Sequence, residues 1–99
     1  MVSELIGIFR AVMVYKGDSY GLNNCLTHTK IEPMVDIYDS RYPHTEHGQF
    51  VSRYYASTLL AHRYGGLQLY GNEVSWRLSP IEMGDLKGFI LNAIQCRWA

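Results

Sequence analysis

The stretch GLQLYGNEVSWRLSPIEM, residues 66–83, constrains the fold most tightly, because a strand pattern and a helix start lie back to back in it. Apolar and polar residues alternate on both sides of Gly71-Asn72, a dipeptide suited to closing a two-residue β-hairpin. Counting outward from that loop pairs Leu69 with Val74 and Leu67 with Trp76, on one face with Leu78. Gln68, Tyr70, Glu73, Ser75 and Arg77 then occupy the other. Directly afterwards Ser79 stands as N-cap, Pro80 at the first helical position and Glu82 at N3. At that spacing the two side chains can satisfy each other's orphan amides. Leu78 and Met83 can close a hydrophobic staple around the cap. Met83, Leu86, Phe89, Ile90, Ala93, Ile94 and Arg97 share one helical arc, which predicts a helix from about Pro80 to Cys96. Gly84 and Gly88 lie opposite, beside Leu91 and Gln95, and leave a smooth strip open to another backbone.

The stretch HTEHGQFVSRYYASTLLAHR, residues 44–63, fits a second amphipathic helix. Thr45 would be its N-cap and Gly65-Gly66 its end. On a helical wheel His47, Phe50, Val51, Tyr54, Tyr55, Thr58, Ala61 and His62 share the inner face. Gln49, Ser52, Arg53, Ala56 and Arg63 lie opposite, and Leu60 is an apolar exception on that polar arc. Earlier in the chain, Leu5–Tyr15 is apolar on both faces. Gly7 and the run AVMVY favour a buried strand there over a helix capped by Ser3. Residues 16–24 are turn-rich, and CLTHT and MVDIY read as short strands. The order is therefore β-β-β-α-β-β-α: an α+β domain, residues 1–99, with a mostly antiparallel sheet of about five strands and two helices packed on it.

Nine Lys and Arg balance nine Asp and Glu, so the formal charge is zero. That weighs against direct nucleic-acid binding, whose affinity comes largely from neutralising phosphates. Cys25 and Cys96 have no zinc-knuckle or redox spacing and are expected to be free thiols in a reducing cytoplasm. The apolar run Leu5–Tyr15 lacks a cleavage site and is too short to span a bilayer, so neither a signal peptide nor membrane insertion is expected.

Two kinds of chemistry compete with plain surface solvation. His44 and His47 form H-x-x-H near Asp39, and zinc takes such ligands, so Asp39, His44 and His47 make the best metal set for a small metal-dependent hydrolase. The motif is not H-E-x-x-H, however, and Pro43 keeps His44 outside the expected helix. The alternative is a polar loop at a helix start, with no metal and no cofactor. Cys25 and His28 would point to opposite faces of a strand, and no serine sits in a nucleophile-elbow motif.

Arginine beside tyrosine recurs at Arg41-Tyr42, Arg53-Tyr54 and Arg63-Tyr64, and these two residue types dominate protein interface hot spots. Arg41, Tyr42, Arg53, Leu60, Arg63 and Tyr64 are accordingly the candidate partner-binding residues. The expected function is a small non-catalytic protein-interaction module, with a homodimeric scaffold as a further possibility.

The stretch YDSRYPHTEHGQFVSRYYASTLL, with the later GLQLYG, resembles the small orphan proteins of phages and bacterial mobile elements. The resemblance covers about a third of the chain and carries no diagnostic motif, so no site residue transfers with it. It implies an inhibitor of the anti-CRISPR kind, whose partner is a host defence complex that processes nucleic acid.

Overall fold

A short glycine-led turn starts the fold. In the computed structural model, which describes residues 2–14, 33–62, 67–71 and 74–94, strand β1 (Val2–Ile6) turns at Gly7-Ile8 into the antiparallel β2 (Phe9–Val14). Gly7 takes φ 62°, a left-handed conformation that glycine adopts without a Cβ clash. The apolar run expected to be one strand is therefore a hairpin. β3 (Met34–Asp39) and β4 (Gln49–Tyr55) extend it into an antiparallel meander of order β1-β2-β3-β4. The short helix α1 (Ala56–Ala61) follows, then a separate hairpin of β5 (Gln68–Gly71) and β6 (Val74–Arg77), then α2 (Pro80–Ile94). The class is α+β with two helices, as expected, but the strands number six among the described residues and divide into two sheets.

The largest correction concerns residues 45–55. Thr45 does not cap a helix. Its hydroxyl accepts from the His47 amide at 3.1 Å and donates to the Gly48 carbonyl at 2.7 Å, closing a tight turn. Gly48 has φ 120°, and a Cβ there would collide with the Asp39 backbone, so only glycine lets the chain re-enter the sheet at this point. β4 then carries a bulge. Ile37 pairs with Ser52 while Tyr38 pairs with Phe50, leaving Val51 as the extra residue. The helix begins only at Ala56, whose amide donates to the Pro33 carbonyl at 2.9 Å. Leu60, expected on an exposed helical arc, packs against the core.

The C-terminal third keeps its faces but not its register. Leu69 pairs with Trp76, Tyr70 with Ser75 and Gly71 with Val74, one step further along than expected. A shift of the loop by one residue moves the pairing sum by two, so Leu67, Leu69 and Leu78 stay buried together. The capping box forms as read: the Ser79 amide donates to Glu82 Oε1 at 2.9 Å and the Glu82 amide donates to Ser79 Oγ at 3.1 Å. Met83, Leu86, Phe89, Ile90 and Ile94 are buried, packed with the inner face of the meander, Phe9, Ala11, Met13, Val35 and Ile37. The expected strand CLTHT, both cysteines, Arg97 and the expected C-terminal turn of α2 at residues 95 and 96 lie outside the described residues.

The start of α2 is locked to the first turn of the chain. A Cβ on Gly7 would overlap the Glu82 carboxylate, the partner of the Ser79 amide in the cap. Gly7→Ala is thus expected to cost about 2 kcal/mol, about half from a left-handed alanine and the rest from disturbing the N-cap. Urea denaturation measures it. A loss of only about 1 kcal/mol, the backbone share alone, would show that the turn and the helix start do not touch.

Candidate functional site

Side chains alternate across the meander, so its two faces can be followed row by row. The inner face meets α2 and the second hairpin. On the outer face one row runs Leu5, Arg10, Tyr38 and Phe50, each directly opposite the next on its neighbouring strand. A second row runs Ser3, Val12, Asp36 and Arg53, and a third Val14, Met34 and Tyr55. Phe50, Arg53 and Tyr55 reach the same face although 50 and 53 are three apart, because the bulge at Val51 restores the parity.

Leu5, Phe50 and Tyr55 are 51%, 49% and 45% exposed on this face, whereas Val12, Met34 and Asp36 in its second and third rows are buried. Phe50 stands edge-on to Tyr38, ring centroids 5.6 Å apart, and His47 leans on Tyr38 from the preceding loop at 5.2 Å. Arg53 donates to Asp36 through both Nε, to Oδ1 at 2.6 Å, and Nη2, to Oδ2 at 2.9 Å. That fork fixes the guanidinium beside the aromatic rings and offsets its charge. Arg10 donates to Ser3 Oγ at 3.2 Å. Burial pushes the Tyr38 phenol above its ordinary pKa, and the Asp36 carboxylate adds to this against the opposing pull of Arg53. The phenol is therefore neutral in the physiological range and remains a hydrogen-bond donor.

The sequence-derived binding residues divide between two places. Arg53 is on the outer face, its side chain half-exposed. Arg41 instead leaves β3 toward the second hairpin, where its guanidinium sits 4.3 Å over the Trp76 ring and 5.2 Å from that of Tyr42. Arg63 and Tyr64 lie outside the described residues, and Leu60 packs on the core. Sequence reasoning missed Leu5, Tyr38, Phe50 and Tyr55 as surface residues of one face. The signal was present in Gly48 followed by the aromatic and β-branched run QFVSRYY, which favours a strand.

The three residues of the metal set do not converge. Asp39 is fully buried and accepts from the Arg41 amide at 3.1 Å, from Nε at 3.0 Å and from Nη2 at 2.7 Å. Its neighbour Tyr38 points to the opposite face and carries His47, whose Nε2 lies 3.3 Å from the Glu46 carboxylate. His44 is exposed on the connecting loop. Among the described residues no three His, Cys, Asp or Glu side chains group as a metal site, and no helix is long and apolar enough to cross a membrane.

The Arg41 hydrogen bonds hold the Asp39 carboxyl below the usual carboxylate range, against the opposing effect of burial. A carboxyl depressed on folding stabilises fully above its unfolded pKa, and that contribution disappears as pH falls through the folded value. The urea midpoint of the native protein should therefore exceed that of Asp39→Asn clearly at pH 6. The gap should close progressively below about pH 4. A gap unchanged down to pH 2 would contradict the ion pair.

Comparison of the chain with family models, with curated proteins and with solved structures gives no match.

Proposed function

We propose that the protein is a non-catalytic interaction module that lays the outer face of its four-stranded sheet on a folded protein partner. The observation that carries this reading is the grouping of Leu5, Phe50 and Tyr55, each about half-exposed, on one face with Arg10, Arg53 and Tyr38. Exposed aromatic residues among arginines, on a rigid sheet, match the composition of interface hot spots and lose little side-chain entropy on docking. Arg53 is already paired with Asp36, which suits a protein surface better than a phosphate backbone needing free cations. The resemblance to small phage and mobile-element proteins extends the proposal to the class of partner, a host defence complex that processes nucleic acid. The cytoplasm is the compartment such a role implies.

Affinity capture from a bacterial lysate tests this when wild type is compared with face variants. A partner retained by wild type and by Tyr70→Asp, an exposed aromatic on β5, but lost by Phe50→Asp and Tyr55→Asp supports the reading. Equal retention by all four proteins rejects it.

A further inference from the structure

A second surface, remote from the sheet face and independent of that reading, lies along the outside of α2. Ile81, Gly84, Gly88 and Leu91 form one stripe at spacings of three, four and three residues, the seam pattern of paired helices. Ile81 is 78% exposed and Leu91 56%, and a Cβ built on either glycine meets nothing within 4 Å. The stripe lies opposite the arc of Met83, Leu86 and Ile90, so two copies meeting along it keep their cores on the outside of the pair. At about 100° per residue, Asp85 lies roughly 80° to one side of the stripe and Lys87 roughly 80° to the other.

Those flanking charges choose the occupant and its direction. If a second copy packs in parallel about a two-fold axis along the helices, the Asp85 flank of each copy faces the Lys87 flank of the other. An antiparallel pair would set Asp85 against Asp85 and Lys87 against Lys87. The two residues are about 3 Å apart along the axis, at the level midway between the glycines where crossing helices approach most closely. We infer that the protein forms a parallel two-fold homodimer through α2. Ile81 and Leu91 pack at the ends of the seam, the glycines allow close approach at the crossing, and two Asp85–Lys87 pairs fix polarity.

Sedimentation equilibrium of the full chain from micromolar to millimolar concentration tests the inference. Wild type should dimerise reversibly. Asp85→Lys and Lys87→Asp should each weaken the dimer about fivefold or more, the double swap should restore it, and Gly88→Gln should abolish it. Each variant should keep the wild-type circular dichroism, because all three positions lie outside the core. Three results would overturn the inference: a monomer at every concentration, a dimer indifferent to single charge reversal, or a double swap as weak as either single change. A dimer that also survives Gly88→Gln would place the interface elsewhere on the molecule.

Discussion

Leu86→Ala is expected to lower the free energy of unfolding by about 3 kcal/mol. Leu86 is fully buried midway along the inner side of α2. Truncating it removes three carbons' worth of apolar burial and leaves a void. The inner side chains of β1 and β2 cannot fill that void while their strands remain hydrogen-bonded to each other. In a domain whose total stability is on the order of 10 kcal/mol, that is a large share. At concentrations low enough to keep the protein monomeric, the same substitution at Leu91, about 1.4 turns along the same helix, should change stability by under about 0.5 kcal/mol because that side chain is exposed. Urea denaturation of the pair measures both. Equal effects at the two positions would mean that α2 does not present the 86-side to the sheet.

Phe50→Asp should weaken partner binding about thirtyfold or more, the loss expected when an aromatic anchor of roughly 2 kcal/mol is removed. The charge adds a second obstacle, since a partner surface shaped for Phe50 and Leu5 would have to bury an unpaired carboxylate. Folding should tolerate the change. Phe50 is half-exposed, and within the molecule the substitution removes chiefly its edge-on packing against Tyr38, worth about 1 kcal/mol. Calorimetric titration against the purified partner, with thermal denaturation alongside, separates a damaged interface from a damaged fold. A variant that binds normally removes Phe50 from the interface. One that unfolds requires the parallel measurement on Tyr55→Asp, which is exposed at the end of the same strand.

Legibility in the sequence followed the strength of local rules. The capping box at Ser79 and the apolar arc behind it depend on residues within a few positions of each other, and the structure contains both. The faces of the second hairpin were equally readable from period-two alternation. Its register was not, because a loop moved by one residue leaves every face unchanged. The hairpin of β1 and β2 was hidden by β2 itself, whose stretch Ala11–Val14 is apolar on both faces. Residues 49–55 misled for a specific reason. The bulge at Val51 puts Phe50 and Arg53 on one face and Val51 and Tyr54 on the other, each pair three apart. That is helical spacing produced by a strand. Gly48, which a helix starting at Thr45 would not need, was the contrary sign. With β4 read as helix, the row joining Leu5 to Phe50 through Arg10 and Tyr38 could not be seen, since it exists only in the register of four strands. Arg41 was legible as an arginine beside a tyrosine but not as the partner of buried Asp39 and the cover of Trp76, which comes from a separate sheet.

The proposed sheet-face interface is tested most directly by hydroxyl-radical footprinting of the protein free and in complex with the partner recovered by capture. Leu5, Phe50 and Tyr55 should become protected together, while Tyr70, exposed on β5, should oxidise at the same rate in both states. Protection of Tyr70 with unchanged oxidation of Phe50 and Tyr55 would contradict a partner seated on the outer face of the four-stranded sheet.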